Sequence, residues 1–328
     1  MPRRDRKVVV IGAGAVGTTY IYALLPTGLA DEIALIDVDR NRVEGEIMDL
    51  SHGMAFTPPV ALKAGDYEDC ADAGLIVLTA GAKQRSGQTR TDLIRKNAAI
   101  VRSICEEIQP QRSEAVLVVV TNPVDALTQL ALEHLGWPRE RVIGSGTVLD
   151  SARFKFLLSR HCHIDARNVH AYILGEHGDS EVAAWSLSHI AGIPIENYCQ
   201  VCQTCDFPEQ HRTIAEQVRD SAYHIIDYKG STYYGIGLSL ARISGVILRD
   251  ENSVLTVSTL LQGEYGIHDI CLSVPCILGQ NGVVRILATR LPSEEQQALH
   301  HSAEAIARTL ATVRHDSPSP VDVNPTAR

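Results

Sequence analysis

The chain is short of positive charge. Thirty Lys and Arg stand against 39 Asp and Glu, a formal net charge of −9 over 328 residues, and no basic block interrupts the sequence. That deficit argues against a nucleic-acid surface, which needs clustered cations. Long apolar runs are missing as well. Nothing approaches the roughly 20 residues of a membrane-spanning helix, so no membrane partner is expected and the chain reads as soluble. There is no internal repeat and no low-complexity tract. A secretion signal is mimicked rather than made: Met1 to Lys7 leads into only four β-branched residues, Val8 to Ile11, before Gly12, and Asp37 follows soon after. A buried strand fits better, and the expected location is the cytoplasm.

Metal chemistry is also incomplete. Of eight cysteines, Cys70, Cys105, Cys162, Cys271 and Cys276 are scattered, as suits reduced thiols. Cys199, Cys202 and Cys205 open an iron–sulfur run, but the close fourth cysteine is absent and His211 is the nearest other soft ligand. Plain thiols in a surface connection are expected, with no metal; a cluster or a zinc site is the alternative.

What is present is a core-forming chain, 45% hydrophobic and long enough for two domains. In the first half, near-continuous runs of Val, Ile, Leu and Ala at 7–11, 33–38, 75–80, 115–121 and 141–144 alternate with helical stretches. One such stretch, 91–108, carries Ile94, Ala98, Val101, Cys105 and Ile108 on one face. Alternation of this kind predicts α/β architecture, a Rossmann-type doubly wound parallel sheet with both faces covered. After about Gly146 the rhythm changes. Helices over 150–160, 209–228, 235–248 and 294–314 and strands over 169–174, 254–262, 266–275 and 283–288 predict an α+β domain. The expected division is 6–146, 147–315 and a Pro, Ser and Asp-rich disordered tail over 316–328.

Gly12-Ala13-Gly14-Ala15-Val16-Gly17 is a G-x-G-x-x-G run between the first strand and the first helix, and Asp37 ends the next strand, 20 residues beyond Gly17. The first glycine makes the turn, the second lets backbone approach a pyrophosphate, and the third lets helix and strand pack. Phosphates would sit at the helix N-terminus, where free N–H groups favour anions. Asp37 would accept hydrogen bonds from the ribose hydroxyls and repel a 2′-phosphate, so NAD is expected rather than NADP. The charges of Asp39-Arg40-Asn41-Arg42 read as a solvated loop.

The chemical end is Gly175-Glu176-His177-Gly178-Asp179, an imidazole displayed at a strand end, suited to moving a proton near neutral pH. With 13 histidines in the chain, an exposed loop histidine is the alternative. Asp150 and Arg153, three apart on a helical face, offer a carboxylate and a planar fork for a substrate carboxylate. They could equally form a local ion pair, or Asp150 could orient His177 and favour its charged form. Asn122, in Thr121-Asn122-Pro123, follows a buried strand at the ligand-binding edge of the sheet. The polar, glycine-bearing 81–89 stretch is a candidate lid.

In order, IGAGAVG, IDV, AGAKQRSGQTR, NPVD, RVIGSGTVLDSARF, GEHGDS, KGSTYYGIG and SVPCILGQNG closely resemble the L-lactate dehydrogenase family, within the wider lactate/malate dehydrogenase group, across roughly residues 6–314. The resemblance implies two-domain subunits in a dimer or tetramer, here expected as a homotetramer, interconverting pyruvate with L-lactate and NADH with NAD. It implies His177 as acid–base group, Asp150 as its partner, Arg153 as carboxylate clamp and Arg90, on the lid, as the group that polarises the reacting carbonyl. It further implies Asn122 near that carbonyl, Thr232 beside the substrate and Ile236 on the nicotinamide ring. Gln84 falls where malate dehydrogenases of this group carry arginine, so a second substrate carboxylate would lie unpaired; Lys83 and Arg85 flank it. In bacterial members, positions matching Lys155 and His170 bind fructose 1,6-bisphosphate as an allosteric activator, although arginine is the commoner residue at the first. Ordinary surface residues are the alternative. Another 2-hydroxyacid dehydrogenase, malate-specific or of broader range, and a nucleotide-binding protein without turnover are the rival readings of the whole.

Overall fold

The structure is a computed structural model and describes residues 6–82, 89–202 and 207–314. Strand β1 (Lys7–Ile11) is buried along its whole length, which requires apolar side chains on both faces, and Val8 to Ile11 supply them. After it come α1 (Ala15–Leu24), β2 (Glu32–Ile36), α2 (Arg40–His52), β3 (Ala61–Ala64), β4 (Leu75–Leu78), α3 (Arg90–Ile108), β5 (Val116–Val119), α4 (Val124–Leu135) and β6 (Val142–Gly144). The strands pair in parallel in the order β6-β5-β4-β1-β2-β3, so the winding reverses at β1. Ile11 lies opposite both Ile36 and Leu78. Gly12, Asp37 and Thr79 therefore emerge together at the carboxyl edge, the place where such sheets bind ligands.

The second half contains α5 (Val148–Cys162), β7 (Val169–His170), β8 (Ile173–Leu174), β9 (Val182–Ala183), β10 (His189–Ile190), β11 (Ile193–Pro194), α6 (Ile195–Cys202), α7 (Phe207–Lys229) and α8 (Tyr234–Leu248), then β12 (Ser253–Gln262), β13 (His268–Gly279), β14 (Gly282–Ile286) and α9 (Ser293–Arg314). Antiparallel β12, β13 and β14 extend the parallel sheet through one pairing, Ser258 with Gly144, giving nine strands among the described residues. One core runs through this sheet and the helices against it. A second, built on Phe154, Leu158, Ile173, Ile195, Ile214 and Val218, lies under α5, α6 and α7. Full burial of each such aliphatic is worth about 1.5–3 kcal/mol, so the two clusters fix where α5 and the β8–β9 connection sit.

Four expectations are corrected. Asp39 to Arg42 is no loop: Asp39 caps α2, its Oδ1 accepting from Arg42 N at 3.1 Å, while Arg40 and Arg42 pair with Glu44 and Glu46 one turn on. The single strand expected over 169–174 is two, interrupted at Ala171 and Tyr172. Strand β13 does not stop at Pro275; it runs to Gly279, and the Pro275 carbonyl still accepts from Leu287 N at 2.8 Å. Cys199 is not in a surface connection but buried on α6. The side chain of Cys202 and all of Cys205 are outside the described residues, as is the tail over 316–328. Among the described residues no group of three or more His, Cys, Asp or Glu is arranged to hold a metal, and no helix is long and apolar enough to cross a membrane.

Candidate active site

The turn after β1 is shaped for a ligand. Gly12 has φ +116°, and a Cβ there would come within 2.5 Å of Ala80 N; one at Gly17 would come within 2.0 Å of Gly12 O. Those two glycines let the turn, β4 and α1 close on one another. Gly14 differs: a Cβ would meet nothing within 4 Å, so the space over it is open to a ligand rather than filled by protein. Gly14 is also the N-cap of α1 and gives no side-chain cap, so the helix reaches the Ala15 and Val16 turn with donors to offer an anion. Asp37, half-buried, accepts from Ala13 N at 2.7 Å and Asp39 N at 3.0 Å, which locks the turn against the end of β2. A dinucleotide with a ribose diol fits this cradle.

Asp150, in the first turn of α5, is buried and shared between two cations. Its Oδ2 lies 2.6 Å from His177 Nδ1, and its Oδ1 accepts from Arg153 Nη1 at 2.7 Å. Burial pushes the Asp150 carboxyl up, but the charges and hydrogen bonds of His177 and Arg153 outweigh it and hold the group below its usual range. The Asp150 charge raises His177 to about 9 against the lowering effect of burial. The imidazole is therefore cationic at neutral pH, and its Nδ1 bond leaves Nε2 as the nitrogen available to a substrate. The local ion pair that the spacing allows is formed, and the imidazole is oriented as well: one carboxylate does both.

The loop that carries His177 is held by its backbone. Gly175, φ +93°, exchanges hydrogen bonds with Ser273, and a Cβ there would lie 2.6 Å from Ser302 Oγ. Glu176 N donates to Ser302 Oγ at 2.6 Å, and His177 N donates to Asp125 Oδ2 at 2.8 Å. Beside it opens a cavity of about 230 Å³, whose wall includes Ile94, Asn122, Arg153, His177, Glu181 and Arg219. Asn122 is fixed through Asn97, which donates to the Asn122 carbonyl at 2.8 Å and accepts from Ala82 N at 2.8 Å.

The structure thus brings together His177, Asp150, Arg153 and Asn122. Thr232, half-buried before α8, and Ile236, in its first turn, are not in the wall of this cavity. Gln84 and the side chain of Arg90 lie outside the described residues; the backbone of Arg90 opens α3. Lys155, 5.5 Å over the Tyr172 ring, and His170, edge-on to His189 at 5.2 Å, occupy another surface. Burial, His189 and Lys155 together lower His170, which places the Lys155 charge within reach of it.

Asp125, Asn97, Ser302, Glu181 and Arg219 were not singled out from sequence. A buried asparagine within the apolar face of α3 and the aspartate of NPVD were the available signals for the first two. Ser302 and Glu181 had none.

A sheet that reverses at a glycine-cradled helix N-terminus is the architecture of the NAD-linked α/β dehydrogenases, and here an imidazole shares a cavity with Asn122, just beyond β5 of that sheet. The chain belongs to the lactate/malate dehydrogenase family. Its NAD binding domain model matches residues 6–144 and its alpha/beta C-terminal domain model matches residues 147–316. The chain is 53% identical over 308 residues to an L-lactate dehydrogenase of Treponema denticola (93% of this chain, 98% of that protein) and 50% identical to one of Acetivibrio thermocellus (94% and 97%). Among solved structures it resembles a minor L-lactate dehydrogenase of Enterococcus mundtii in ligand-bound form, with TM-score 0.92, 44% identity and coverage of 95% and 100%. A lactate dehydrogenase from a Medee basin deep-sea metagenome gives TM-score 0.93 at 43% identity and the same coverage.

Proposed function

We propose that the chain is an NAD-dependent L-lactate dehydrogenase, interconverting pyruvate and L-lactate, with residues 6–146 holding the coenzyme and 147–315 the substrate. The observation that carries the reading is the single buried carboxylate of Asp150 bonded to both His177 and Arg153 on one cavity wall. Gly12, Gly14 and Gly17, the amides of Ala15 and Val16, and Asp37 would hold NADH, which when bound would supply the hydride. As negative charge grows on the pyruvate carbonyl oxygen, His177 gives it a proton from Nε2 and Asp150 steadies the orientation of the ring. Arg153 grips the substrate carboxylate with its fork. On the resemblance to the family, Arg90 would polarise the carbonyl, Asn122 would hydrogen-bond beside it and toward the coenzyme, Thr232 would flank the substrate, and Ile236 would pack on the nicotinamide. Mixing NADH and pyruvate with the protein should abolish the NADH absorbance band; no loss with pyruvate but loss with oxaloacetate would replace this reading with a malate dehydrogenase.

Gln84 selects pyruvate in this scheme, because a neutral amide leaves a second carboxylate unpaired in a closed pocket. Gln84→Arg is expected to raise the oxaloacetate-to-pyruvate ratio of kcat/KM by about 100-fold, equivalent to about 3 kcal/mol. An unchanged ratio removes Gln84 from that role.

The chain is further assigned to the cytoplasm, to the fermentative end of glycolysis, and to a homotetramer in which Lys155 and His170 bind fructose 1,6-bisphosphate between subunits. Lys155 charges facing one another across an interface, with His170 beside them, disfavour the tight state until a dianionic phosphate joins them, so the sugar phosphate activates. Pyruvate saturation curves should become steeper and shift to lower concentration with the bisphosphate; superimposable curves dismiss the site.

A further inference from the structure

Glu181 sits just before β9, in the wall of the cavity that His177 and Arg153 line. Its Oε1 is buried and has no hydrogen-bond partner among the described residues. An ionised carboxylate is poorly accommodated in such a position, while the neutral acid is tolerated. The charged groups that share this cavity with it and act on its charge are Asp150 and Arg153 from α5, His177 from the loop after β8, and Arg219 from α7. The other carboxylates of the wall are engaged: Glu176 Oε2 accepts from Ser180 Oγ at 2.5 Å, and Asp179 Oδ1 accepts from Tyr223 Oη at 2.7 Å. Asp125 lies behind the loop and accepts the His177 amide. Glu181 is thus the carboxyl in this wall with a buried oxygen left over, and two guanidinium groups, Arg153 and Arg219, share the wall with it.

We propose that Glu181 gates Arg153: as the neutral acid it leaves the guanidinium to the carboxylate of the incoming 2-oxo acid, and as the anion it draws that positive charge to itself. The proposal rests on the lactate dehydrogenase reading for the role of Arg153 and makes Glu181 a positioning residue that acts through it. The direction of its titration agrees. Burial, then the Asp150 charge, push Glu181 up to about 8, against the pull of His177, Arg153 and Arg219. A raised carboxyl keeps its proton below that value and loses it above, whereas His177 stays protonated to about 9. Substrate affinity should therefore weaken in two steps as pH rises, Glu181 first and His177 second.

The test uses oxamate, an unreactive amide of pyruvate's shape, bound to the protein with NADH and followed by nicotinamide fluorescence from pH 6 to 10. Wild type, Glu181→Gln and Glu181→Asp are compared, with kcat and KM for pyruvate measured in parallel. In wild type, oxamate affinity should fall about tenfold between pH 7 and pH 9 ahead of the loss that follows deprotonation of His177. Pyruvate KM should follow the first step while kcat does not. Glu181→Gln should lack the first step and keep the second; Glu181→Asp should keep both. Two steps persisting in Glu181→Gln, or an equal weakening at every pH, would overturn the proposal. Should Glu181→Gln fail to fold, wild type decides alone: one step at the His177 value overturns it. Absence of NADH oxidation by pyruvate at every pH would instead overturn the lactate dehydrogenase reading beneath it.

Discussion

Replacing His177 with asparagine is expected to lower kcat for pyruvate reduction by about 10²- to 10⁴-fold, the range that a positioned general acid contributes. The loss should fall on kcat rather than on NADH affinity, because the glycine cradle and Asp37 lie on other elements. The fold should survive. The loop is held through the amides of Glu176 and His177 and through the Gly175–Ser273 pair, none of which needs the imidazole. Single-turnover mixing of enzyme, NADH and pyruvate gives the chemical step directly, and a thermal melt checks folding. A variant within about tenfold of wild type would take His177 out of proton transfer.

Asp150→Asn should act on the same proton by another route. The carboxylate is the largest cause of the rise of His177 from 6.5 to about 9; without it, burial pulls the ring back toward and below the ordinary value. The sign follows: pyruvate reduction needs the imidazolium and is favoured below the His177 pKa, so the alkaline limit of kcat should move acidward by about two units. At pH 8 the expected loss in kcat/KM is about 10²- to 10³-fold, since the ring also loses its orienting bond and Arg153 its buried partner. Lactate oxidation needs the neutral ring, so its rise with pH should end earlier than in wild type. An Asp150→Asn enzyme whose pH profile overlays that of wild type would show that Asp150 does not set the His177 charge.

Fold and site were legible to different depths, for physical reasons. Strands β1, β4 and β5 are covered on both faces, so their sequences are continuous apolar runs that read plainly. Strand β3 stands at the sheet edge with an exposed, alternating Ala-Leu-Lys-Ala pattern and carries little signal. The start of α2 was hidden because its cap and first turn are charged and exposed. In the site, the glycine turn and the Asp150–Arg153 pair are short-range patterns and could be read. Asp125 and Ser302 reach the His177 loop from 52 and 126 residues away and become visible only when the chain is folded. Glu181 carries no sequence signal for a related reason: one more acid in a polar run means nothing until the chain buries one of its oxygens.

The junction of Ser258 with Gly144 has a mechanical consequence. It welds the antiparallel hairpins of the second half to the parallel strands of the first, and there is no slack there: a Cβ at Gly144 would strike Thr128 Oγ1 at 2.5 Å and Ser258 Cβ at 2.9 Å. Bending at that seam would break the backbone pairing of Ser258 with Gly144. The separation between the glycine turn after β1 and the His177 loop, which is tied to β13 through Gly175 and Ser273, is thus set by backbone pairing. Whatever swings shut over the substrate must do so from the rim, where α7 already contributes Arg219, Tyr223 and Ile226 to the wall.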